Sequence, residues 1–182
     1  MEVSLCRSIL LIQYEDNGIE CADIESIWLT IHPHRLPRHT SSILLAVVNH
    51  PPSSSTEDNN LLKDHLKSNT DLFLADHPDA LVIITGDFNP SSTKLNTNLI
   101  SGCLYMSQII KCKTRDLGIL YLCFVNKAIL FESPKQLPKV GNSDHYAILV
   151  KPSTQSCSNP TKSVVFKREI RESSLANFGK WI

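Results

Sequence analysis

Two short stretches place proton-transfer and metal-competent side chains close together. Gly86-Asp87-Phe88-Asn89 carries a carboxylate and an amide two positions apart, and Ser143-Asp144-His145 carries a second carboxylate next to an imidazole. On an extended chain, Asp87 and Asn89 would share one side while Phe88 points the other way into a core. Cleaving a phosphodiester needs parts of this kind: a group to orient or deprotonate water, a carboxylate to hold a divalent cation, and donors to the charge developing on phosphorus. Either stretch alone also reads as an ordinary turn, since Gly-Asp, Asn-Pro and Ser-Asp are common turn signals. Their order, and the apolar run beside each, favour a shared site.

The elements that would position them follow from patterning. Runs 8–14, 24–31 and 42–49 are rich in β-branched and aromatic residues and predict three strands in an antiparallel meander. In 24–31 the apolar residues do not alternate, which predicts a central strand covered on both faces. Pro51-Pro52-Ser53 makes a turn, and Ser55-Thr56-Glu57-Asp58 has the composition of a helix start. Leu61, Leu62, Leu66, Leu72 and Phe73 continue at helical spacing until Pro78 ends the helix. The apolar run 80–85 predicts an interior strand that delivers Asp87 at its end. Residues 91–118 read as loop with fragments. Strands are expected at 119–125, 128–131 and 146–150, and a basic, partly amphipathic helix at 164–182.

Composition narrows the class. The chain has 182 residues, 42% of them hydrophobic, with 18 Lys+Arg against 18 Asp+Glu. That suits one packed domain without disulfide or metal staples, and a zero net charge gives no global field to hold a polyanion. Neither of the longest apolar runs, 43–48 and 119–125, reaches the ~20 residues that cross a bilayer. The N-terminus, with Glu2, Cys6 and Arg7, fits a secretory signal poorly, so an intracellular protein is expected, nucleus or cytoplasm undecided. The six cysteines form no C-x-x-C pair, and reduced thiols among apolar neighbours are expected.

Gly86-Asp87-Phe88-Asn89 and Ser143-Asp144-His145 resemble the paired signatures of the endonuclease/exonuclease/phosphatase superfamily. The flanking pieces Glu25-Ser26-Ile27-Trp28, Pro51-Pro52-Ser53, Thr114-Arg115-Asp116 to Asn126 and Gly141-Asn142-Ser143 resemble the endonuclease domain of non-LTR retrotransposons. The similarity spans roughly residues 5–151. It implies an α/β four-layer sandwich of two mixed β-sheets flanked by helices, occupying 1–151 and incomplete at its N-terminus, with 152–182 a polar tail. It further implies Mg²⁺- or Mn²⁺-dependent cleavage of DNA, with no membrane partner. By position in the motifs, Asp87 would orient or deprotonate the attacking water and Asn89 would help hold water and phosphate. Asp144 would lie near the metal, and His145 would contact the scissile phosphate.

The departures from that pattern are specific. The family's upstream Asn and metal-binding Glu would precede the first strand of this chain, so the principal metal carboxylate is expected to be missing. The aspartate that orients the catalytic histidine falls at Tyr121, and a phenol cannot hold an imidazolium as a carboxylate does. A tyrosine usual before the proline turn falls at Asn49. The expectation is a hydrolase whose activity is weak or lost. The alternatives are a vestigial or binding module without turnover, or a phosphoesterase of the same superfamily acting on a small substrate. If the site is real, Asp87, Asn89, Asp144 and His145 must converge, and Tyr121 must lie beside His145.

Overall fold

The computed structural model describes the backbone of residues 11–13 and, in full, residues 21, 23–33, 36–116 and 118–153. The helix expected over 164–182 lies outside the described residues. Six strands form one mixed sheet in the order β1-β2-β3-β4-β6-β5, with β1 at Leu11–Gln13, β2 at Glu25–His32, β3 at Ile43–Asn49, β4 at Leu81–Asp87, β5 at Ser107–Gln108 and β6 at Tyr121–Val125. The first three form the expected antiparallel meander. A two-stranded sheet pairs β7 (Lys135–Lys139) with β8 (Tyr146–Leu149). The fold is thus mixed α/β.

Strands β3 and β4 run parallel, which demands a long crossover. Helix α1 (Thr56–Asp76) supplies it. Its start is a closed capping box: the Asp58 amide donates to the Ser55 hydroxyl at 3.2 Å, and the Ser55 amide donates to the Asp58 carboxylate at 2.7 Å. The Ser55 amide, with the Ser55 hydroxyl second, holds the Asp58 carboxyl below its usual pKa. At the other end the His77 amide donates to the Phe73 carbonyl before Pro78 stops the helix. Leu62, Leu66, Thr70 and Phe73 form the buried stripe.

That stripe packs on one face of the large sheet, where Trp28, Leu44, Ala46, Val48, Val82, Ile84, Leu122 and Phe124 make the main core. Two short helices, α2 (Pro90–Thr93) and α3 (Thr97–Leu104), close it from the side, with Ile100 and Leu104 inserted and Phe88 fully buried. On the opposite face the small sheet covers only the β4–β6 end. There Cys123 and Val125 pack with Ile83, Phe131 and Ile148, and burial pushes the Cys123 thiol up to about 11. Over β2 and β3 this face is only partly covered: Ile27 and Val47 oppose each other in register, 54% and 42% exposed, while the next pair on it, Leu29 and Leu45, is half-buried. Strand β2 is therefore interior to its sheet, as expected, but its second face is covered only in part, with Ile27 exposed and Leu29 half-buried.

Three other elements differ from expectation. Residues 91–118 contain α2, α3 and β5, and α3 is capped by the Asn96 side chain, which accepts from the Leu99 amide at 3.1 Å. The stretch 128–131 is a single 3₁₀ turn at Ala128–Leu130 rather than a strand, and only its last residue, Phe131, makes an isolated antiparallel bridge, to Pro152. Strand β7 was not foreseen, because its sequence KQLPK is polar and holds a proline, as an exposed edge strand tolerates. Among the described residues no helix is long and apolar enough to cross a membrane.

Candidate functional site

Strand register sets the site. Glu25 pairs with Asn49, Asn49 with Asp87, and Asp87 with Tyr121, so four side chains form a row across β2, β3, β4 and β6 on one face. Within the row the Asn49 amide donates to the Glu25 carboxylate at 2.7 Å. Gly86 is what lets β4 reach its position. It has φ +149°, and a Cβ there would stand 1.8 Å from the Val48 carbonyl oxygen, so no side chain fits at the residue before Asp87.

The second motif reaches the row through the loop before β6. The buried Thr114 hydroxyl accepts from the Leu120 amide at 2.7 Å and from the Tyr121 amide at 3.1 Å. Its carbonyl accepts from the Tyr146 amide at 2.8 Å, and Arg115 bridges to His145 in antiparallel fashion. Thr114 thus ties the start of β6 to the start of β8. The result is that the His145 ring stacks on the Tyr121 ring, centroids 4.6 Å apart and planes 18° from parallel. Tyr121 lies beside His145, as the sequence required.

The charges around this stack are close and partly unsatisfied. Burial, and behind it the negative charges of Asp87 and Asp144, raise the Tyr121 hydroxyl above its usual pKa. Both carboxylates therefore act on one phenol. Asp144 pairs with the Arg115 guanidinium and stands 3.5 Å from His145 Nε2. Asp87 Oδ1 and His145 Nδ1 are buried without a hydrogen-bond partner, and an orphaned buried polar atom carries a desolvation cost that a ligand could relieve. Beyond Arg115, Asp116 accepts from Lys139 at 3.0 Å and from the Tyr146 hydroxyl at 2.8 Å. The Lys139 contact, with the Tyr146 hydroxyl second, lowers the Asp116 carboxyl.

Asn89 behaves differently from expectation. The chain does not stay extended past Phe88: Asn89 adopts the left-handed conformation at φ 44°, ψ 46°, as the turn into α2 requires. Its side-chain amide donates to the His50 carbonyl at 3.0 Å. The His50 amide in turn donates to the Asp87 carbonyl at 2.7 Å. His50 thus brackets both motif residues through its backbone. Its buried ring is held by Asn59, whose Oδ1 faces Nε2 at 2.8 Å while its amide donates to the Thr93 carbonyl, so the proton belongs on Nε2.

Asp87, Asp144 and His145 are thus gathered around Tyr121, and Asn89 sits just beneath as a turn anchor. Sequence reasoning gave no role to Thr114, Arg115 or His50. Their signal was faint: polar residues flanking a strand, of a type that makes most loops.

Among the described residues no group of three or more His, Cys, Asp or Glu converges to hold a metal. Mg²⁺, however, needs only one or two carboxylates when water and phosphate oxygens complete its octahedron. Asp144, half-exposed beside Arg115, is the carboxylate that suits that sparse mode of binding.

Compared with models of known protein families the chain matches none, and no curated protein matches it.

Proposed function

We propose that this chain is a phosphodiester hydrolase domain of the endonuclease/exonuclease/phosphatase type, in the four-layer sandwich form. DNA is its substrate class, Mg²⁺ or Mn²⁺ its cofactor, and a non-LTR retrotransposon its ancestry. The observation that carries this reading is the gathering of Asp87, Asp144 and His145 around Tyr121, from strands and loops far apart in the chain.

In this reading Asp87 orients and deprotonates water through its free Oδ1. His145 meets the phosphate and donates to it when protonated. Asp144 lies at the cation, with Arg115 neutralising the rest of its charge. The divalent ion, when bound, offsets phosphate charge and lowers the pKa of its water. Asn89 acts mainly by fixing the turn that aims Asp87, since its amide is engaged by the His50 carbonyl.

Turnover is expected to be slow. His145 Nδ1 has no partner, and the Asp144 carboxylate 3.5 Å from Nε2 is shared with Arg115, so the imidazolium that must form is less stabilised than one with a carboxylate of its own at Nδ1. The same observation favours a second reading, a binding or vestigial module that keeps the phosphate site without cleaving. A phosphoesterase acting on a small substrate is a third reading, which the retroelement-like Pro51-Pro52-Ser53 turn disfavours.

Nicking of supercoiled plasmid with Mg²⁺ or Mn²⁺ tests the proposal, run beside Asp87→Ala, His145→Ala and an EDTA control. Slow, metal-dependent nicking lost in both variants is the expected result. Nicking that survives EDTA or both substitutions overturns it. Folded protein that binds DNA but never nicks it would move the assignment to the second reading.

A further inference from the structure

Four hydrogen bonds close a ring next to Asp87. With its proton on Nε2, the His50 imidazole donates to Asn59 Oδ1 at 2.8 Å, and the Asn59 amide donates to the Thr93 carbonyl at 2.8 Å. The Thr93 hydroxyl donates to the Asn89 carbonyl at 3.1 Å, and the Asn89 amide donates back to the His50 carbonyl at 3.0 Å. Each residue donates once and accepts once, always in the same sense around the ring. His50, Asn89 and Thr93 are all more than nine-tenths buried, where a broken bond leaves a polar group without water to replace its partner.

The ring joins three pieces of chain: the turn after β3, the first turn of α1, and α2 with the residue that enters it. Asp87 is attached to it from both directions. Its carbonyl accepts from the His50 amide at 2.7 Å, and two residues on the chain reaches Asn89, itself a ring member. Asn59 alone in the ring touches neither Asp87 nor Asn89. It supplies one acceptor and one donor, so removing its side chain opens two of the four bonds.

We propose that Asn59 is a positioning residue for the hydrolysis: through His50 and Thr93 it fixes the end of β4, so that the Asp87 carboxylate meets the attacking water. This rests on the phosphodiesterase reading for the water, but the ring's hold on the Asp87 backbone needs neither metal nor turnover. Because Asp87 acts on water during the reaction and not on DNA in the bound state, a loosened ring should slow turnover without weakening binding.

Hydrogen exchange of the His50 amide, followed by NMR in the full chain, reads that hold directly, since this amide is the one that donates to Asp87. In Asn59→Ala it should exchange about tenfold faster or more relative to the amides within β3, the effect of two lost hydrogen bonds. Thr93→Val, which keeps the shape and removes the hydroxyl donor, should accelerate it too, and Thr93→Ser should recover the parental rate. In plasmid nicking, Asn59→Ala should lower kcat about tenfold or more with KM unchanged. An unmoved His50 amide, an acceleration shared equally by β3, or no recovery in Thr93→Ser overturns the proposal, as does a parental kcat with the amide released. A released His50 amide in Asn59→Ala, beside a parent that never nicks plasmid, would keep the ring and remove the hydrolase. A parent that nicks, with the amide equally protected in Asn59→Ala, would do the reverse.

Discussion

The imidazole of His145 lies flat on the phenol of Tyr121, ring centroids 4.6 Å apart, with its buried Nδ1 unpartnered. Stacking holds the ring in place, but it does not select a tautomer or stabilise a positive charge as a carboxylate behind the ring would. Orientation and activation, normally supplied together by an aspartate, are here separated. In the proposed mechanism the stack supplies the first, while Asp144, shared with Arg115, contributes only part of the second.

Tyr121→Asp should therefore supply the missing part of that activation. With a carboxylate beside the ring, metal-dependent nicking should increase by about tenfold or more. Tyr121→Phe keeps the stacked ring and should leave nicking within about twofold of the parent, a change of under ~0.5 kcal/mol. Plasmid nicking rates measure both. Unchanged nicking in the Asp variant would show that position 121 does not act on His145.

Thr114 is the joint between the two motifs, because one side chain and its carbonyl serve the starts of β6 and β8. Thr114→Val keeps the shape and removes the acceptor, leaving the Leu120 and Tyr121 amides without their partner. The cost should be about 2–4 kcal/mol, from two partly buried donors at ~1–3 kcal/mol each. Thr114→Ser restores the oxygen and should recover most of it. Urea midpoints at constant m-value read the loss. A Thr114→Val protein as stable as the parent would mean that these amides find other acceptors.

Gly86→Ala tests the closeness of β3 and β4 rather than the chemistry. The added carbon would overlap the Val48 carbonyl, 1.8 Å away, at a φ of +149° that non-glycine residues rarely adopt. Relief requires the strands to part next to Asp87, so a loss of about 3 kcal/mol or more is expected, with nicking lost as well. Thermal unfolding would reveal it. A variant of parental stability would exclude so tight an approach.

These residues also show what the sequence disclosed and what it hid. The helix start at Ser55–Asp58, the stripe of α1 and the apolar strand ending at Asp87 were legible because each is written in local composition or periodicity. The meeting of Tyr121 with His145 was legible only through the resemblance, which puts a histidine-orienting aspartate at position 121. Helix α3 was obscured by Ser, Asn and Thr, which favour caps and turns and here serve as both cap and helix. The partly covered face around Ile27 and Val47 could not be read from β2, because an apolar strand carries no mark of which neighbour covers it. Asn89 looked like a ligand by its spacing from Asp87. Only the left-handed turn, set by the start of α2 and the His50 carbonyl, reveals its other duty.

Stability should also depend on pH through a histidine outside the site. His65 lies between α1 and β2, edge-on to Trp28 with ring centroids 5.9 Å apart, and near the Ser26 hydroxyl and the Asn69 amide at 3.5 and 3.1 Å. No carboxylate is among these neighbours, and burial lowers its pKa below the usual 6.5. The unfolded imidazole accepts a proton near 6.5, whereas the folded one resists until lower pH. In the window between those values the unfolded chain binds more protons, so this contribution is intact above 6.5 and is lost as the pH falls through the folded value. Urea unfolding at pH 7.5 and pH 5 should show the drop, and His65→Gln, which cannot titrate, should flatten it. An equal pH dependence in the parent and His65→Gln would assign the loss to other groups, and would mean that a protonated His65 is accommodated between α1 and β2 without displacing the helix.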